Sequence, residues 1–211
     1  MYFGFAGDIV MASAMILAGA LFDFFDGMTA RALHISGPIG KELDSLADMV
    51  TFGVAPASLC FFVLQTVSTM AWLPFLAFNM AAFSGLRLAK FNCDERQTLS
   101  FIGLATPANA ILWIGIANIC TLGAASLVST LLLEAVCCYL LISEIPMFSL
   151  KIKPGHNGFA ENWARYTFLA LTVIFIVVTL ILDAEHLLCV SAPIILLYIV
   201  MSVIDTFAKR K

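Results

Sequence analysis

The stretch MVTFGVAPASLCFFVLQTVSTMAWLPFLAFNMAAFSGL, residues 49–86, contains no Asp, Glu, Lys or Arg. A membrane-spanning helix needs about 20 mostly apolar residues, so this run is long enough for nearly two. Its polar cluster Gln65-Thr66-Val67-Ser68-Thr69 predicts a turn between them. The same pattern recurs from Gln97 to Leu133, with a break expected near Gly123. Carried outward, it predicts about seven spans, over residues 5–33, 42–65, 70–91, 105–122, 125–144, 164–183 and 187–206. The fold class is an all-α polytopic transmembrane bundle, read as one domain over residues 1–211.

Composition agrees. The chain is 62% hydrophobic and 12% charged, with mean hydropathy +1.00, where a soluble domain carries about 25% charged residues. These figures exclude a soluble surface, a disordered chain and a secreted disulfide scaffold. A net charge of −3 offers no basic patch for phosphate neutralisation, which excludes nucleic acid as a partner. Cys60, Cys93, Cys120, Cys137, Cys138 and Cys189 lack metal-ligand spacing and read as small hydrophobes.

The basic residues order the spans. All 11 Lys and Arg fall near residues 31–41, 87–96, 151–165 and 209–211, and the alternate turns near 66–69, 123 and 184–186 carry none. By the positive-inside rule those four clusters face the cytoplasm and Met1 lies outside. No basic flank anchors that start, and the expectation is that a further helix precedes this chain.

Charged side chains inside spans cost about 2.5–3.5 kcal/mol on insertion scales, so a group of them signals function. Asp23 and Asp26 are three apart on the first helix, and Asp44 and Asp48 four apart on the second. Each spacing puts two carboxylates on one helix face. Both pairs flank the same basic connection and lie at one depth. Four facing carboxylates call for divalent cations, and hard oxygen donors suit Mg²⁺, Mn²⁺ or Ca²⁺. Gly27 and Ala30 remove bulk just past the acids, which serves either a ligand or helix packing. Arg31 suits a phosphate oxygen or a cytoplasmic anchor. Arg87 and Lys90, three apart on the third helix, could hold a phosphate or a carboxylate, with Asn92 beside them.

These residues compose Asp23-x₂-Asp26-Gly27-x₂-Ala30-Arg31-x₈-Gly40-x₃-Asp44-x₃-Asp48, which matches the signature of the CDP-alcohol phosphotransferases. LADMVTFGVAP (46–56), LRLAKFN (86–92) and FIGLATPAN (101–109) resemble the phosphatidylserine synthase branch of that family. The resemblance implies an integral membrane enzyme that takes CDP-diacylglycerol and L-serine to phosphatidylserine and CMP. It implies that Asp23, Asp26 and Asp44 bind a pair of divalent ions, Mg²⁺ or Mn²⁺, with Asp48 near them and acting as general base. Gly27, Ala30 and Arg31 would contact the CDP moiety, and Arg87 and Lys90 a phosphate or the serine carboxylate. Family members carry an additional first helix, in line with the charge argument. The expected setting is a prokaryotic cytoplasmic membrane with the site at the cytoplasmic face, and the expected assembly a homodimer. Two alternatives stay open: another acceptor, glycerol 3-phosphate or inositol, and a cation or proton transporter using the same acids.

Other residues receive plainer readings. Lys151 and Lys153 suit lipid headgroups, and His34, His156 and His186 read as surface groups. Glu134 is expected to pair inside the bundle or at a dimer contact. Ala81, Gly85 and Ala89 allow close helix packing, and Pro56, Pro107 and Pro193 are candidate kinks.

Overall fold

In hydrocarbon a backbone must satisfy its own hydrogen bonds, so apolar runs fold as helices. The computed structural model describes residues 1–33, 37–93, 101–147, 159–182 and 184–208. Lys151, Lys153, His34 and His156 lie outside them. The described chain forms α1 (Tyr2–Ala6), α2 (Ile9–Ala32), α3 (Pro38–Asp48), α4 (Ala55–Val67), α5 (Asn79–Cys93), α6 (Thr106–Ile119), α7 (Leu127–Ile142), α8 (Phe159–Leu182) and α9 (Ser191–Ala208). Helical turns join several of these: a π-helical turn at Met49–Val54, another at Cys120–Ala124, and 3₁₀ turns at Leu73–Phe78 and Ala184–Val190.

Each of the seven stretches expected from the sequence is helical. Ile9–Ala30, Ile39–Val67, Thr106–Ala124, Trp163–Leu182 and His186–Thr206 are long and apolar enough to cross a membrane, and Leu127–Ile142 is a shorter apolar helix. The remaining stretch, around residues 70–91, opens with the 3₁₀ turn and continues as α5. The first stretch is not one helix: the chain breaks at Gly7, and the Asp8 carboxylate accepts the Met11 N–H at 3.1 Å to cap α2. The break at Gly123 is real, with φ +86 inside the π turn. The prolines start helices more than they bend them. Pro107 lies at the first turn of α6, Pro193 is the third residue of α9, and Pro56 stands where the π turn gives way to α4. At the first turn of α6 the missing N–H of Pro107 leaves no bond unmade, whereas Pro56 and Pro193 lie within the continuous helical spans Ile39–Val67 and His186–Thr206.

Two apolar clusters hold the bundle. One joins Cys60 and Leu64 of α4, Met80 of α5, Leu112 and Trp113 of α6, Cys137 and Leu141 of α7, and Ala192 of α9. The other joins Ile9, Ala12 and Ile16 of α2 to Phe52, Leu59 and Val63, and to Ala110, Ile114 and Ala117 of α6. A buried polar contact reinforces the second, since the Asn118 amide donates to Ser13 Oγ at 3.0 Å; such bonds act as glue between helices in lipid. Glu134 is buried on α7 and accepts from the Cys138 thiol one turn on, at 3.3 Å.

The segment after α5 closes the end of α7. Gly103 N–H donates to Ile145 O and Leu104 N–H to Leu140 O, both at 2.9 Å, and Phe101–Ile102 pairs antiparallel with Pro146–Met147. Gly103 has φ +74, and a Cβ there would lie 2.8 Å from Ser143 O. Only glycine both takes that conformation and lets the chain lie so close to the helix's last carbonyls. The outer faces of α2 and α8, with Phe24, Ile181 and Leu182 exposed, are apolar surfaces suited to lipid tails.

Candidate active site

Asp23, Asp26, Asp44 and Asp48 line one cleft of about 550 Å³, shared with Gly19, Phe22, Phe25, Thr29, Ala47 and Thr51. The helical spacing read from the sequence therefore does bring both acid pairs together. Asp48, half-buried, stands beside Asp23; the charges of Asp23 and Asp44 act on it, and those of Asp23 and Asp26 act on Asp44. The cleft floor is a close approach of α2 to the π turn: a Cβ on Gly19 would meet Thr51 Cγ2 at 2.6 Å. The π turn begins one residue after Asp48. A π turn takes an extra residue into the helical circuit and turns the following side chains, and such turns recur at functional sites. Here it presents Thr51 to the cleft while Phe52 and Gly53 go to the core.

The third helix contributes one cation. Arg87 is only 7% exposed and lies within electrostatic reach of Asp48 and Tyr198. Its guanidinium stands 5.9 Å from the Phe91 ring centroid, and its Nε has no hydrogen-bond partner among the described residues. The Lys90 ammonium donates to Ile142 O at 3.4 Å, at the C-terminal end of α7. A cation at a helix C-terminus is favourable on its own account. Asn92 donates to Ser45 Oγ at 2.9 Å.

Gly27 and Ala30 lie further along α2, past the acids and outside the residues that line the cleft. Arg31 continues α2, and its side chain lies outside the described residues. Of the small residues on α5, Ala81 and Gly85 face the π turn, with Met49 Sδ 3.3 Å from a Cβ built on Gly85, while Ala89 is exposed.

Electrostatics sets what the cleft can do. Two carboxylates about 5 Å apart repel by roughly 3 kcal/mol at an effective dielectric near 20. One arginine cannot offset four acids, so protons or cations must. The donor set is all carboxylate oxygen, the chemistry of hard divalent ions. Among the described residues no three of these groups already stand in a geometry that encloses one ion.

Comparison with known proteins fixes the family. Residues 1–142 match the CDP-alcohol phosphatidyltransferase family model. The chain belongs to that family. It is 34% identical over 160 residues to the CDP-diacylglycerol–serine O-phosphatidyltransferase of Bacillus subtilis, covering 74% of this chain and 85% of that protein. The enzyme of the same name from Mycobacterium leprae is 34% identical over 178 residues, 78% of this chain and 56% of its own. The Saccharomyces cerevisiae enzyme of that name is 40% identical over 116 residues, 50% of this chain and 41% of its own. The chain thus spans most of the bacillar relative and about half of the other two. Its activity is that of a CDP-alcohol phosphatidyltransferase.

The family match ends where α7 ends, so α8 and α9 lie beyond it. Tyr198, which faces Arg87 from α9, was not foreseen, and no local pattern could have shown it. Thr51 could have been, being three residues past Asp48 on the same helical path.

Proposed function

We propose that this phosphatidyltransferase uses L-serine as its acceptor, converting CDP-diacylglycerol and serine to phosphatidylserine and CMP. The observation that carries the reading is the joining of four carboxylates in one cleft that Arg87 flanks, in a chain whose relatives bear the serine-specific name. The serine hydroxyl oxygen forms the new bond to the phosphorus that bears diacylglycerol. The bond between that phosphorus and the bridging anhydride oxygen breaks, and CMP leaves with its own phosphate.

Serine is a poor nucleophile until a positioned base takes its proton. We assign that proton to Asp48, which lies beside Asp23 and within electrostatic reach of Arg87. Asp23, Asp26 and Asp44, with Asp48 beside them, would hold two Mg²⁺ or Mn²⁺ ions, and closing of these side chains around the ions is part of the proposal. Bound divalent ions supply Lewis-acid stabilisation of the charge on the phosphoryl oxygens and on departing CMP. Gly27, Ala30 and Arg31 are assigned to the CDP moiety. Arg87 is assigned to the acceptor: a single buried guanidinium matches a single carboxylate, where glycerol 3-phosphate would bring a doubly charged group. The reading places the cleft at the cytoplasmic face, among the basic clusters, and takes residues 1–211 as one catalytic domain. It draws support from α9, which packs along α6 and brings Tyr198 to Arg87.

The test is CMP release in detergent micelles containing CDP-diacylglycerol, with serine, glycerol 3-phosphate or inositol. Serine alone is expected to support release. EDTA is expected to abolish it, and Mn²⁺ or Mg²⁺ in excess to restore it. Release with glycerol 3-phosphate or inositol but not serine overturns the acceptor; release that survives EDTA overturns the metal assignment.

A further inference from the structure

Between Asp48 and the end of α5 lies a set of bonds that the catalytic reading does not use. Asn92 Nδ2 donates to Ser45 Oγ at 2.9 Å, Ser45 Oγ donates to Lys41 O at 3.1 Å, and Lys41 Nζ donates to Asn92 O at 3.3 Å. The three bonds close a circuit between two helices far apart in sequence. Its polarity is consistent throughout. The Ser45 proton is committed to Lys41 O, so Ser45 offers a lone pair and Asn92 must be the donor. The Lys41 ammonium meets the last carbonyls of α5, where positive charge is favoured.

The circuit is the outer end of an antiparallel seam. Along it a Cβ on Gly53 would stand 3.1 Å from Ser84 Cβ, and one on Gly85 would stand 3.3 Å from Met49 Sδ. Asp48 lies within electrostatic reach of Arg87, and Ser45 meets Asn92. As the number falls on one strand of the seam it rises on the other. Asp48 is therefore fixed from both sides: the Gly53–Ser84 contact lies deeper in the bundle, and the Ser45–Asn92 bond lies toward the connection between α2 and α3. Without the Ser45–Asn92 bond, the outer part of α3 is held at this seam only by the exposed Lys41 contact to Asn92 O at 3.3 Å. Asp44 and Asp48, both on α3, would then swing relative to Arg87 on α5.

We propose that Asn92 and Ser45 are positioning residues, locking the α3 acids against α5 so that Asp48 and Arg87 keep one separation through the reaction. Neither touches substrate in this role. The proposal rests on the functional reading above, in which Asp48 and Arg87 serve the acceptor.

The test is a double-mutant cycle of Asn92→Ala, Ser45→Ala and the pair, assayed by CMP release with whichever acceptor the wild-type protein uses. Each single variant is expected to lower kcat about tenfold, and the pair no further than either alone, as for one shared contact. KM for CDP-diacylglycerol is expected to move less than about twofold, and the thermal midpoint in detergent to stay within about 2 °C, since one partly exposed bond contributes little to global stability. Amide hydrogen exchange of Asn92→Ala is expected to rise over residues 41–48 and not in α6. Single effects that multiply in the pair, or an Asn92→Ala protein with wild-type kcat, overturn the proposal. A wild-type protein that releases CMP with no acceptor overturns the functional reading instead. In that case unchanged exchange over residues 41–48 would separately refute the lock.

Discussion

Asp48→Asn is expected to lower kcat for CMP release by about a thousandfold, the middle of the range for loss of a positioned general base. The substitution is nearly isosteric, and the asparagine amide can donate to the Asp23 carboxylate beside it. It also removes one negative charge from a cleft that holds four carboxylates, so the folded state loses no favourable charge contact except that with Arg87. The thermal midpoint in detergent is accordingly expected to hold or rise. What asparagine cannot do is accept the serine proton. Because Asp48 also stands among the proposed cation ligands, the assay belongs at several Mn²⁺ concentrations. A deficit that excess Mn²⁺ repairs would make Asp48 a ligand and not the base. A variant within about threefold of wild type would remove Asp48 from the chemistry.

The fold was legible where the bilayer imposes a single solution. A charge-free run such as residues 49–86 has no way to satisfy its backbone in lipid except as helix, and Gln65–Thr69 marks where it turns. Acids in spans are costly enough that Asp23, Asp26, Asp44 and Asp48 stood out, and helical spacing alone predicted that each pair shares a face. What escaped was set by tertiary contact. The π turn at Met49–Val54 has no signature of its own in the sequence; within it Gly53 and Thr51 meet Ser84 and Gly19. Arg87 and Lys90 look equivalent by spacing, yet one is buried toward Asp48 and the other reaches the end of α7. That difference depends on where α7 ends, about 50 residues later. Tyr198 is remote in sequence from everything it serves. Asn92 looked like a ligand for an anion because its neighbours are basic, and the partner it has, Ser45, sits inside the signature at an unconstrained position.

The second large effect concerns the bundle and sets two known magnitudes against each other. Gly115→Ala adds a single methyl group in the middle of α6. In an exposed helix that change stabilises by about 1 kcal/mol, because glycine loses more backbone freedom on folding. At Gly115 the new Cβ would run into the backbone nitrogen of Ala192 and lie 2.6 Å from its Cβ and 2.7 Å from Ser191 Oγ. Overpacking a close-packed core costs about 1–3 kcal/mol even when side chains can yield, and a backbone nitrogen yields least. The cost should exceed the gain, so the thermal midpoint is expected to fall by about 5 °C. Relief requires α9 to move off α6, and α9 carries Tyr198 to Arg87, so kcat is expected to fall as well. Ala192→Gly in the same background is expected to recover only part of the loss, since it removes the Cβ and leaves the nitrogen in place. A raised midpoint for Gly115→Ala would show that helix propensity outweighs the contact, and that α6 and α9 do not approach as closely as the glycine allows.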